Sequence, residues 1–173
     1  MTAPAQAPST DHAAFSYVNF LLFCSIVAAT IIGIPLYGYF VGFTTFDWIL
    51  SFVMYVITGM GITVGYHRLV SHQSFECPDW GKRCALIAGG WALQNSALIW
   101  CADHIRHHAR TDTDEDPYNA SRGFWHSHCG WLFYETPHRT DKYEIRLRRD
   151  PVVLWQHRYY WVIVVSGLAI PFA

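Results

Sequence analysis

Three features of this 173-residue sequence predict an all-α integral membrane protein, a transmembrane hairpin followed by a cytoplasmic helical cap that carries histidines. No charged side chain lies between Asp11 and Asp47, and Phe15 to Phe43 within that gap is almost wholly apolar. All 12 Lys and Arg follow Tyr66, running from Arg68 to Arg158. Histidines gather at helical spacing, with His104, His107 and His108 in the segment "DHIRHHAR".

Residues 1–14 are small and polar, with Pro4 and Pro8, and are expected to fray. The first apolar run exceeds the roughly 20 residues that a helix rising about 1.5 Å per residue needs to cross a bilayer core of about 30 Å. It is too long for a signal-peptide core and lacks a basic start. A second uncharged run, Trp48 to Tyr66, follows the short link "TTFD" at 44–47. Because Lys and Arg stay on the cytoplasmic side, the link is expected outside, with the N-terminus and everything after Tyr66 inside. Residues 67–83 are polar. Residues 84–102 are apolar enough to resemble a third span, but Gly89, Gly90, Gln94 and Asn95 interrupt them. Lys82 and Arg83 before the segment and Arg106 after it argue for one side of the membrane, so it is expected as a buried or interfacial roof over the histidines. Residues 103–154 hold most of the charge. The last apolar run, from Tyr159 to Ala173, is short for a span and is expected to be cut off inside a membrane helix.

The net charge of -1 and the absence of an aromatic-interleaved basic patch argue against nucleic-acid binding. Five cysteines without a C-x-x-C pair read as packing thiols. "GITVG", Gly61 to Gly65, is a G-x-x-x-G pattern suited to close helix packing. "DTDEDP", Asp112 to Pro117, imitates the start of a calcium loop, but Pro117 stands where that loop needs Gly, so loop and cap duties are expected.

On a helix, His104, His107 and His108 fall on one face. Protonated, they would repel; a metal holds imidazoles neutral, and imidazole suits Zn, Fe, Cu and Ni. His67 and His72 in "GYHRLVSH" are five apart, about 140° around an α-helix. They reach one ion only if the helix ends between them or the ion sits off its shoulder. The box is not H-E-x-x-H, so the general base of a zinc protease is missing.

H-x-x-x-x-H followed about 30 residues later by H-x-x-H-H resembles the membrane fatty acid desaturases. "GITVGYHRLVSH", "ALQNSALIWCADHIRHH", "TDTDEDPYN" and "SRGFWHSHCGWLF" resemble the acyl-CoA delta-9 branch in order and spacing, over roughly residues 15 to 173. The resemblance implies one desaturase domain over 15–173, incomplete at its C-terminus. It implies a di-iron site that uses O2 to place a cis double bond, at delta-9, in an acyl chain. His67, His72, His104 and His108 resemble ligands of one iron, and His107 a ligand of the other. Asp103 is a candidate second-sphere acceptor; Gln94, Asn95 and Trp100, with Asn19, are substrate-side candidates. The implied partners are a fatty acyl substrate on CoA or phospholipid, and an electron donor such as cytochrome b5, ferredoxin or rubredoxin. The implied location is a bacterial inner membrane or the endoplasmic reticulum.

The family's animal members carry Arg, contacting the CoA headgroup, where this chain has Ala102 and Ile105. The third box, H-x-x-H-H, does not occur; His126, His128, His138 and His157 do not replace it by spacing and are expected to be structural or on the surface. Residues 1–173 alone are therefore expected to hold at most about one metal and to make no unsaturated product. A membrane di-iron hydroxylase and a non-catalytic, truncated metal-binding membrane protein remain the alternatives.

Overall fold

The computed structural model describes residues 14–134 and 142–170. Most of the N-terminal tail, His138 and the last three residues lie outside them. The described residues are helical apart from loops and one isolated bridge, Phe15 to Tyr134. The chain forms two compact units, one of Met1–Phe43 with Arg106–His138, the other of Thr44–Ile105 with Arg139–Ala173.

In the first unit, α1 spans Tyr17–Phe40, 24 residues, or about 36 Å at 1.5 Å per residue. The Ser16 side chain caps it by accepting from the Asn19 N–H at 3.4 Å. Ala29–Gly33 widen into a π-helical turn just before Pro35. Proline has no N–H for the Ile31 carbonyl and its ring crowds that oxygen, so the turn opens. Gly42, at φ 83°, ends the helix in a conformation that other residues resist. No residue of α1 is buried, and Leu21 and Ile31 are 61% and 68% exposed. A helix this long and apolar on every side has the surface of a membrane span. Its base is fixed by Phe15, Phe20 and Phe23 around Phe133, and by the Ser16 N–H donating to the Phe133 carbonyl at 2.7 Å.

In the second unit, α2 spans Thr45–Ser71, 27 residues. Thr44 and Asp47 form a reciprocal capping box, which satisfies two N–H groups at the helix start. The first half is exposed, with Phe52 at 67% and Tyr55 at 76%; from Gly61 onward Gly65, Tyr66, Leu69, Val70 and Ser71 are buried. The change of surroundings coincides with a change of winding, because Gly61–Ser71 is π-helical. Here α2 packs on α3, Asp79–Gly90. A methyl group on Gly61 would collide with the backbone of Ala88 and Gly89, and one on Gly65 would lie 3.0 Å from the Ala85 carbonyl. The G-x-x-x-G pattern thus serves close backbone approach, as expected.

The apolar stretch 84–102 does not form one long helix. α3 ends at Gly90, residues 91–96 bend, and α4 runs Ala97–Arg110. Neither helix, at 12 and 14 residues, has the length of a span. The bend holds Leu93 and Asn95 at φ 58° and 83°. Such backbone persists only where its surroundings over-determine it. Tyr160 Oη accepts from the Asn95 N–H at 3.1 Å, and Tyr66 Oη donates to the Asn95 carbonyl at 3.3 Å. Gln156, fully buried, donates to Tyr66 Oη at 2.7 Å and accepts from the Ala97 N–H at 2.9 Å. Gln156 lies on α5, Pro151–Arg158, which Asp150 caps; α6, Tyr160–Ala169, follows. Tyr66, Leu86, Leu98, Cys101, Val152 and Val153 form the core beneath the bend.

Candidate metal centre

His67 and His72 lie on the π-helical end of α2. On an α-helix their spacing would splay them apart. In the π-helix each N–H reaches back five residues, and the His72 N–H donates to the His67 carbonyl at 3.0 Å, so residues five apart share one side. The helix therefore does not end between the two histidines; it widens and stops just after, with His72 as its last cap and Gln73 at φ 49°. The Arg146 guanidinium donates to the Ser71 carbonyl at 3.2 Å and fixes that end.

Across from this pair stands His104 on α4. Ring centroids of His67 and His72 are 4.5 Å apart, of His67 and His104 4.6 Å, and of His72 and His104 5.3 Å. Nε2 of His72 and Nε2 of His104 are 3.2 Å apart. Two bonds of about 2.1 Å to one ion, roughly 100° apart, would separate their nitrogens by that distance. One turn along α4, His108 completes a group whose four ring nitrogens lie within 4.8 Å of one another. Trp100 stacks on the His104 ring, centroids 4.9 Å apart and planes at 16°, which restrains its orientation. An all-imidazole donor set of this size fits a borderline transition metal such as iron or zinc, and not magnesium or calcium, which take oxygen ligands.

His107 does not join this group. Three residues beyond His104, it sits on the flank of the face, and its Nδ1 lies 2.9 and 3.0 Å from the two carboxylate oxygens of Asp116. Asp116 is 2% exposed. The loop and cap duties expected of 112–117 are present: Asp116 accepts from the N–H groups of Asp112 and Tyr118, and Asp112 from that of Ala120. The bond to His107 is an addition that spacing did not reveal.

Asp103 is buried beside the first histidine of its box, at 8% exposure. Trp100 donates from Nε1 to Gln94 Oε1 at 3.3 Å, and Asn95 engages through its backbone. The Asn19 amide donates to the Leu132 carbonyl at 3.0 Å, within the first unit. His157 Nδ1 is 2.7 Å from Ser96 Oγ at the start of α4. His128 stacks on Phe124 at 4.0 Å, while Nε2 of His126 is buried without a hydrogen-bond partner. Cys101 donates to the Tyr66 carbonyl, and burial pushes its thiol up to about 12, so it is an inert packing group. The spacing of the sequence gives no role to Gln156, whose one signal is a lone amide inside "PVVLWQHRYYW".

Two helices long and apolar enough to cross a membrane, helical architecture throughout the described residues and a cluster of four imidazoles mark the class as a helical membrane protein with a histidine group that could hold a metal. Residues 45–173 match the fatty acid desaturase family, and the chain belongs to it. It is 41% identical over 138 residues to an sn-2 palmitoyl-lipid 9-desaturase of a Nostoc species, covering 74% of this chain and 47% of that protein. It is 34% identical over 158 residues to an sn-1 stearoyl-lipid 9-desaturase of Anabaena variabilis, covering 87% and 55%. An acyl-CoA Delta(11) desaturase of Trichoplusia ni is 35% identical over 168 residues, covering 91% and 47%. The chain spans about half the length of these relatives.

Proposed function

We propose that this protein acts as a fatty acyl desaturase, placing a cis double bond at delta-9 of a membrane-lipid acyl chain through a histidine-held di-iron centre. The observation that carries the reading is the convergence of His67, His72, His104 and His108 in a chain of the desaturase family. These four are proposed to hold one iron, and His107 to contribute to the other. When bound, the metals supply the activation of O2 needed to break unactivated C–H bonds. The overall reaction balances if two adjacent methylenes lose two hydrogens and one C=C forms. O2 takes two electrons from the acyl chain and two from an external donor, and with two protons leaves as two waters. Cytochrome b5, ferredoxin or rubredoxin has the required one-electron chemistry.

The protein's own part is to hold the chain and the ligands still. The bend at 91–96, tied to Tyr66, Tyr160 and Gln156, fixes the start of the helix that carries His104 and His108. Trp100 and Gln94, joined at this bend, are proposed to border the acyl chain. A membrane-lipid carrier is supported by Ala102, 5% exposed, and Ile105, packed against the same core. Neither supplies a cation for a CoA phosphate, and two of the relatives are named for lipid substrates. The distribution of Lys and Arg supports residues 67–154 on the cytoplasmic side.

The test expresses the holoenzyme in a host without its own delta-9 desaturase. Iron content and gas chromatography–mass spectrometry of the lipids are measured. Iron-dependent 9,10-monounsaturated chains that vanish with His104→Ala are expected. Protein that binds no iron, or a hydroxylated product, overturns the reading. In a background without native cysteines, a cysteine at Thr45 should label from outside and one at Thr113 should not; the reverse would refute the orientation.

A further inference from the structure

We propose that Asp116 is a positioning residue that holds the His107 imidazole as its Nδ1–H tautomer, leaving Nε2 as the metal-donor nitrogen. The proposal rests on the desaturase reading above for what Nε2 binds, but its geometry is independent of that reading. An ionised carboxylate only accepts hydrogen bonds. Both its oxygens lie within 3.0 Å of His107 Nδ1, so that nitrogen must carry the proton. In a neutral ring the lone pair then resides on Nε2. A carboxylate behind a histidine fixes both tautomer and ring angle in metal sites generally.

The surroundings support an orienting function over a loop function alone. Asp116 Oδ2 accepts from the Asp112 N–H at 2.9 Å and Oδ1 from the Tyr118 N–H at 2.9 Å, so the loop grips one oxygen from each side. The His107 ring meets both oxygens at once, and an amide offers only one acceptor there. The Tyr118 ring packs at 5.2 Å from that of His107, with Trp131 against Tyr118 at 4.6 Å, restricting rotation. The Asp116 side chain is fully buried while that of His107 keeps 30% exposure, so the anchor is inside and the ring is presented outward. His107 is also the one histidine of its box that the four-nitrogen group leaves out.

The first measurement needs no substitution. In metal-free wild-type protein labelled with 15N-histidine, NMR at mildly alkaline pH should show His107 protonated on Nδ1; the Nε2–H tautomer would overturn the proposal. Asp116→Asn should lose that tautomer preference. Asp112→Ala, which removes the Ala120 bond from the same loop without touching the ring, should keep it. In the holoenzyme, Asp116→Asn should weaken retention of one iron by about 10–100-fold, the usual cost of removing such a partner. His107→Ala should release the same iron, and the double variant should be no worse than His107→Ala. Additive losses, or iron retained in full by His107→Ala, would overturn the assignment. Wild-type protein that takes up no iron would sink the desaturase reading, while the tautomer measurement would still decide the role of Asp116.

Discussion

Replacing Gln156 with Leu tests how α4 is held in place. The side chain is fully buried and joins three elements: its Nε2 donates to Tyr66 Oη at 2.7 Å on α2, and its Oε1 accepts from the Ala97 N–H at 2.9 Å at the start of α4. Leucine nearly conserves the volume, so the cavity contribution is small and the polar loss dominates. The Ala97 N–H would be stranded in the core, at a cost of roughly 1–3 kcal/mol. Tyr66 Oη keeps its bond to the Asn95 carbonyl, so losing the Gln156 donor costs less, about 1 kcal/mol. The sum is about 2–4 kcal/mol. At roughly 2–4 °C per kcal/mol for a chain of this size, Tm should fall by about 4–16 °C. Thermal unfolding in detergent, followed by circular dichroism, reads this shift. Metal content should fall with it, because the same N–H anchors the helix that bears His104 and His108. A Gln156→Leu protein that melts within a degree or so of wild type and keeps its metal would refute the reasoning.

Gly61→Ala forces a methyl group into the Ala88–Gly89 backbone and should cost about 1–3 kcal/mol, whereas Gly33→Ala, with nothing within 4 Å, should leave Tm unchanged or slightly raised; equal effects would refute the helix-packing role. Burial alone would raise the Asp150 carboxyl, but the Lys82 ammonium at 2.8 Å and the Val152 and Val153 N–H groups outweigh it and hold it below its ordinary value. A depressed carboxyl contributes stability above its unfolded pKa of about 3.9, lost as pH falls through the folded value; Asp150→Asn should flatten that acid limb in melts recorded across pH. With Ala102 and Ile105 in the core in place of two cations, the holoenzyme should show at most weak discrimination in favour of acyl-CoA in competition with acyl-phospholipid, which it should also turn over. Turnover of acyl-CoA alone would refute this.

What the sequence determined by itself is whatever one segment settles locally. A helix satisfies its own backbone, so an uncharged run about as long as a bilayer core is wide, or longer, announces α1 and α2 without reference to anything else. The i, i+4 spacing of His104 and His108 likewise places two imidazoles on one face before any packing is known. Glycines and amides in 84–102 argue against a third span, but not for the bend at 91–96 that splits the stretch into two helices. Tertiary structure decided the rest. Gly61–Ser71 winds as a π-helix where Gly61 and Gly65 pack against α3, and that winding brings His67 and His72 to one side. His107 stands outside the four-nitrogen group, its Nδ1 bonded to a buried carboxylate nine residues away. Gln156 meets Tyr66 across 90 residues of chain. No periodicity encodes such pairings; they follow from which polar groups are buried together and must satisfy one another there.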